Sequence, residues 1–248
     1  MIIMLCGKGG CGKSTVTALL AKELVKQGKR VLVIDSDESN FGLHKQLGAA
    51  LPPDYYMFWG GKRNVTRTIN ERGYLYPHDL TFDTLPRDYV SEANGVKLMC
   101  VGKIHDADEG CACPIGVLSK EMLDHLIINE DEVVLVDSEA GVEHFGRGVD
   151  DRADIILMVA DPSYESVQLS SKIYDMAKSI NKKYFIVLNK TDDEKEAMMR
   201  EAIEHSELIA GAVPQNNDVL MAGLKGEQIP DTDASAVMSD ILTYITSN

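Results

Sequence analysis

The chain has 248 residues, enough for one large domain or two small ones, and 44% of them are hydrophobic, which excludes wholesale disorder. Its 25 Lys and Arg are outnumbered by 39 Asp and Glu, a net charge of −14, and that balance speaks against nucleic acid as a partner. No run approaches the roughly 18 consecutive apolar residues of a membrane span. The start MIIMLC leads straight into a glycine-rich stretch with no room for a signal peptide, so a cytoplasmic protein is expected.

Taken in chain order, short near-continuous apolar runs predict strands covered on both faces. They are Ile2–Cys6, Arg30–Ile34, Lys97–Val101, Val133–Val136, Ile155–Val159, Tyr184–Leu188 and Leu208–Ala212. Helical spacing predicts helices over Ser14–Gln27, with Gly28 as its C-cap, over Gly116–Asn129 and over Ser163–Ile180. The alternation predicts one α/β domain over residues 1–248, with a doubly wound, mainly parallel sheet and ligands at the carboxyl ends of its strands. One segment breaks the rhythm. Leu51–Asn94, between the second and third strands, carries Pro52-Pro53, Trp59-Gly60-Gly61, Tyr74 to Tyr76 and Pro86. An insert of that length is either a functional element or a peripheral cap. Its aromatics Tyr55, Tyr56, Phe58 and Trp59 are either a docking surface or the insert's own small core.

Gly7-Lys8-Gly9-Gly10-Cys11-Gly12-Lys13-Ser14 matches G-x-x-x-x-G-K-[ST] between a strand and a helix. There the backbone N–H groups of Gly9, Gly10, Cys11 and Gly12 form a nest for the β-phosphate, strengthened by the positive end of the following helix. Lys13 is expected to neutralise β/γ oxygens, Ser14 to ligate Mg²⁺, and Thr15 to contact the α-phosphate. Lys8 is badly placed to fold back on its own phosphates. Further along, the second strand ends in Asp35-Ser36-Asp37, and Val133–Val136 runs into Asp137-Ser138-Glu139-Ala140-Gly141. A carboxylate at a strand end opposite such a loop can hold Mg²⁺ through water.

The KGGxGKS arrangement resembles the deviant Walker A of the MinD, ParA and nitrogenase iron-protein group of P-loop ATPases. The resemblance implies that Lys8 crosses a dimer interface to the partner's nucleotide, much like an arginine finger. It also implies that Asp37 orients the attacking water, that Asp35 supports Mg²⁺ or its water shell, and that Asp137 is the Walker B carboxylate. Asn189 and Lys190, at the end of Val187-Leu188-Asn189-Lys190-Thr191-Asp192, would lie at the base, with adenine packed near Val213, Pro214 and Gln215. In guanine-binding NTPases the aspartate of N-K-x-D pairs with the base, so Asp192 leaves GTP open beside ATP.

Five cysteines remain to be placed. Cys6 and Cys100 fall within apolar strands as small core residues, and Cys11 is structural. Cys111 and Cys113, in Gly-Cys-Ala-Cys-Pro, are two apart, so an extended backbone points both sulfurs to one side. Two thiolates fill half of a tetrahedral shell, and the same pair from a second chain would close it around Zn²⁺ or Ni²⁺. A redox pair, an iron–sulfur cluster or two inert thiols are the rival readings.

The deviant P-loop, this C-x-C and the run Glu139–Gly148 together resemble the CooC-type nickel-insertion ATPases. Glu139 stands where the wider group commonly has glycine. The resemblance implies an ATP-dependent homodimer that serves a client nickel enzyme, carbon monoxide dehydrogenase or acetyl-CoA synthase. Two alternatives come from neighbouring classes: a nickel GTPase-like maturation factor and a MinD/ParA-type positioning ATPase. After Lys225 the chain has no Lys or Arg but carries Glu227, Asp231, Asp233 and Asp240, so no membrane binding is expected. An iron-protein-like electron donor would need a cysteine just after the second switch, and residues 137–151 have none.

Overall fold

The computed structural model describes residues 1–105, 113–142, 145 and 148–248, without the side chains of residues 113 and 150. The apolar runs are strands, buried on both faces except for β8, which is half-buried along its middle. They are β1 (Ile2–Cys6), β2 (Arg30–Asp35), β4 (Val96–Cys100), β5 (Glu132–Asp137), β6 (Ile155–Ala160), β7 (Lys183–Thr191) and β8 (Ile209–Pro214). With β3 (Ser91–Ala93) they form an eight-stranded sheet in the order β3-β4-β2-β5-β1-β6-β7-β8. All neighbours are parallel except β3 and β4.

Alternation along each strand divides the core. Ile2, Met4 and Cys6 of β1 join one layer with α3 (Lys62–Arg72), α4 (Cys113–His125), α5 (Tyr164–Ser179) and α6 (Asp193–Ala202). Ile3 and Leu5 join the other, under α1 (Lys13–Lys26), α2 (Leu43–Leu47), α7 (Asn217–Lys225), α8 (Asp233–Ala236) and α9 (Met238–Ser247). The sheet is therefore doubly wound, as expected. β1 lies centrally, flanked by β5 and β6, so the loop that leaves its carboxyl end opens where chain connections diverge to both sides, the usual ligand crevice.

Most elements lie within one to three residues of the expected bounds, and two elements differ further. The second helix expected, at Gly116–Asn129, runs instead over Cys113–His125, because the chain beyond it is drawn out to pair with the insert. Leu80 N–H donates to His125 O, and Ile127 N–H donates to Leu80 O, both at 2.8 Å. The antiparallel edge strand β3 carries no apolar run and was not expected.

The insert forms a 3₁₀ turn at Tyr55–Trp59, helix α3, a second 3₁₀ turn at Arg87–Tyr89 and then β3. Its aromatics pack on one another. Tyr55 stacks on Phe58 with centroids 5.6 Å apart, Trp59 meets Tyr76 edge-on at 5.2 Å, and Tyr76 Oη donates to Tyr55 Oη at 2.9 Å. Tyr55, Tyr56 and Tyr76 belong to the same buried layer as α4, which makes the aromatics largely a core extension; Met57 and Phe58 stay exposed. Among the described residues, no helix is long and apolar enough to cross a membrane.

Candidate nucleotide site

The loop after β1 bends at glycines into the first turn of α1, where Gly12 takes a left-handed conformation as the helix N-cap. Beside it opens a cavity of about 710 Å³. Of the residues expected from sequence, Gly9, Gly10, Gly12, Lys13, Ser14, Thr15, Asp37, Asn189, Lys190, Val213, Pro214 and Gln215 all line it. Cys11, wholly buried, lies beneath the loop in the apolar layer, and burial pushes its thiol up. Lys13 is also buried. Its Nζ donates to the carbonyls of Gly7 and Lys8 at 3.4 Å each.

At the end of the cavity near β5, Ser14 Oγ donates to Asp137 Oδ2 at 2.6 Å, and Thr17 Oγ1 lies 3.4 Å from Asp137 Oδ1. Asp137 is fully buried, and burial pushes its carboxyl up against the opposing pull of Ser14 and Lys13. A hydroxyl and a carboxylate held together at a phosphate-binding loop are the hard oxygen donors that Mg²⁺ takes, so these residues fit the ion. Sequence reasoning missed Asn40. Its Nδ2 donates to Ser14 Oγ at 2.6 Å and to Asp137 Oδ2 at 3.2 Å, which sets an amide against the same two oxygens.

Asp35 sits apart from the cavity. It is 2% exposed and paired with Lys103, a wholly buried lysine whose Nζ lies 2.7 Å from Asp35 Oδ2 and donates to Asp37 O at 2.6 Å. Lys103 is the second residue that sequence reasoning missed. Burial pushes the Asp35 carboxyl up to about 7; Lys103 opposes that, while Asp137 and Asp37 add repulsion. The folded chain thus keeps a proton on Asp35 that the unfolded chain has released, across the interval from the ordinary carboxylate range to about 7. Stability contributed by this group therefore falls as pH rises through that interval. Wild type is expected to lose melting temperature relative to Asp35→Asn between roughly pH 5 and roughly pH 8. Thermal unfolding of both proteins at the two pH values checks this, and a constant gap would refute it.

Lys8 points away from the loop's own phosphate nest. Its Nζ donates to Ser163 Oγ at 3.0 Å and lies 3.3 Å from Asp161 Oδ2, between the end of β6 and the N-cap of α5. At the other end of the cavity, Asn189 Nδ2 donates to Cys11 O at 2.8 Å, and Lys190, at φ +60, reaches Gly10 O at 2.6 Å. Asp192 does not line the cavity. It is the N-cap of α6, accepting from Lys195 N–H at 2.9 Å and from the Lys195 ammonium, so the N-K-x-D match is a helix start. Cys111 and the side chain of Cys113 lie outside the described residues.

These features define a nucleotide-binding P-loop site at the centre of a doubly wound sheet. Residues 2–229 match the CobQ/CobB/MinD/ParA nucleotide binding domain, and the chain belongs to that family. It is 45% identical over 234 residues to an uncharacterized ATP-binding protein of Methanocaldococcus jannaschii, covering 92% of this chain and 94% of the relative. It is 34% identical over 185 residues to the carbon monoxide dehydrogenase accessory protein CooC of Rhodospirillum rubrum, covering 73% and 70%. Among solved structures, the Pyrococcus furiosus cell division ATPase MinD superposes with a TM-score of 0.69 at 18% identity, covering 99% of this chain and 98% of that one. A ParA family ATPase from Chlorobium tepidum gives 0.68 at 18%, covering 100% and 98%. At such identities the structures speak for the fold.

Proposed function

We propose that this protein is an ATP-hydrolysing metallochaperone that dimerises on nucleotide, holds nickel or zinc through Cys111 and Cys113 of each chain, and assists nickel insertion into a client enzyme. The client class is carbon monoxide dehydrogenase or acetyl-CoA synthase. One observation carries the reading: a C-x-C pair, Cys111 and Cys113, in a chain 34% identical over 185 residues to CooC. In this cycle Lys13 and the loop amides hold the phosphates, Lys8 reaches the partner's nucleotide, and Asp37 orients water. Ser14, with Asp137 behind it, would hold Mg²⁺, which would supply charge neutralisation at the phosphates. The engagement of Asp192 as a helix cap favours ATP over GTP.

Two chains sharing four thiolates around one ion require about half an equivalent of metal per chain. Elemental analysis of wild type incubated with nickel and a nonhydrolysable ATP analogue is expected to give that value, and the Cys111→Ser/Cys113→Ser variant almost none. Reciprocity adds a second demand: the analogue must raise nickel affinity by the factor by which nickel raises affinity for the analogue. One full equivalent on a monomer, or nickel affinity indifferent to nucleotide, would overturn the reading.

A further inference from the structure

The buried Lys103 is not explained by phosphate binding, since it does not line the cavity, nor by the C-x-C pair. The residue sits where three segments meet, its ammonium on one and its backbone N–H on another. On one side is the first switch segment, residues 35–40, where Lys103 Nζ holds both Asp35 Oδ2 and Asp37 O. Backbone bonds run beside it: Val101 N–H donates to Asp35 O at 2.9 Å, and Ile104 N–H to Glu38 O at 3.1 Å. On the other side is the head of the insert. Asp54 Oδ1 accepts from Lys103 N–H at 3.1 Å, Asp54 Oδ2 lies 2.7 Å from His105 Nε2, and Tyr56 N–H donates to Val101 O at 3.1 Å. Gly102 lets the Tyr56 ring rest directly on this strand end, since a Cβ there would fall 2.4 Å from Tyr56 Cδ1.

The switch segment also has a reason to move. Asn40 donates to Ser14 Oγ and Asp137 Oδ2, and a divalent cation needs those same oxygens as donors, so amide and cation compete for one place. Asn40 N–H in turn donates to Asp37 O at 3.3 Å, the carbonyl that Lys103 holds. Displacing Asn40 therefore disturbs an acceptor that Lys103 shares. A buried ammonium cannot leave one acceptor without finding another, because an unpaired buried charge is costly.

We propose that Lys103 is a positioning residue that ties the first switch to the strand end 101–105 and, through Asp54, to the aromatic insert, so that the state of the nucleotide site is transmitted to the insert. This needs only nucleotide binding, so it stands apart from the nickel role. The insert thereby acquires a function of its own, because the surface of Met57 and Phe58 moves with the nucleotide. The chain's one tryptophan, Trp59, packs between Phe58 and Tyr76 and reports on that packing directly.

The test reads Trp59 emission in the full chain with Mg²⁺ and either ADP or a nonhydrolysable ATP analogue, no nickel being added. Wild type is expected to show different emission in the two states, and identical emission overturns the proposal. Lys103→Met is expected to bind the analogue within about threefold of wild type while losing the Trp59 difference; a difference that survives overturns the proposal. Should Lys103→Met lack a cooperative melt, Asp54→Ala decides, since Asp54 lies outside the nucleotide cavity. It is expected to keep turnover within about twofold while losing the Trp59 difference. Retention of the difference, or loss of turnover along with it, overturns the proposal. Failure of nickel coupling in wild type, with the Trp59 difference intact, would remove the metallochaperone reading and leave this one standing.

Discussion

Lys8→Ala is expected to bind ATP and ADP nearly as tightly as wild type and to lose hydrolysis by roughly a hundredfold or more, the scale of a missing trans-acting cation. The two lysines of the loop have separable positions. Lys13 is buried under the loop with its ammonium on Gly7 O and Lys8 O, poised over the phosphate nest. Lys8 leaves the nest for Ser163 and Asp161 of its own chain. Although burial works against it, hydrogen bonds from Ser166, Ser163 and Lys8 hold the Asp161 carboxyl below its ordinary range. The lysine in that pair is 21% exposed and the aspartate 16%, so both groups stay within reach of water and the tie can be exchanged when a stronger anion arrives. A γ-phosphate on a second chain is such an anion. If Lys8 served only to brace β6 against the loop, removing either partner would have the same result. Asp161→Ala is instead expected to keep hydrolysis within about fivefold of wild type, because it removes only the resting partner of Lys8 and leaves the lysine able to reach the second chain. Nucleotide titration and single-turnover hydrolysis of both variants separate the cases; matching losses would defeat the trans role.

What could be read from the sequence follows from which features are local. Strands such as Ile2–Cys6 and Val133–Val136 announce themselves because burial on both faces demands an unbroken apolar run. The phosphate loop is legible because Gly12, Lys13 and Ser14 act within a few residues of one another. Asn40 and Lys103 were not, since each works only through partners far along the chain: Asn40 through Asp137, Lys103 through Asp35 and Asp54. A lysine three residues beyond a buried strand gives no sign that it will turn inward. The one available signal was compositional: a strand ending in two aspartates, Asp35 and Asp37, needs a cation nearby if one of them is buried.

Asp192 shows the opposite hazard, a local pattern with two physical meanings. Asn189-Lys190-Thr191-Asp192 fits a guanine-reading motif, but Asp192 followed by Asp193, Glu194 and Glu196 also fits a helix N-terminus, where acidic residues meet the free N–H groups. The fold uses the second. The end of α4 was misplaced for a related reason. Helical spacing continued past His125, yet the longer-range pairing with Leu80 drew the chain into an extended course.

Gly12→Ala is expected to weaken nucleotide binding by roughly a hundredfold or more, which corresponds to about 3 kcal/mol. Two costs combine at this position. Gly12 has φ +98, where a side-chain-bearing residue is strained by about 1–2 kcal/mol. An added Cβ would also fall 2.1 Å from Asn189 Nδ2, the amide that donates to Cys11 O. Since that contact cannot be kept, the loop must shift, or Asn189 must give up its bond; either way, phosphate nest and base site are disturbed together. Gly10 provides the control. It too has positive φ, +78, but a Cβ there meets nothing within 4 Å, so Gly10→Ala bears the strain alone and is expected to weaken binding by about tenfold. Removing the obstructing amide should then recover part of the loss. The double variant Gly12→Ala/Asn189→Ala is expected to bind better than Gly12→Ala, a non-additivity that two independent sites would not show. Titration of ATP and ADP against wild type, the single variants Gly10→Ala, Gly12→Ala and Asn189→Ala, and the double variant checks the order. Equal losses at Gly10 and Gly12, or a double variant worse than both singles, would mean that the loop and the end of β7 do not form one wall of the site.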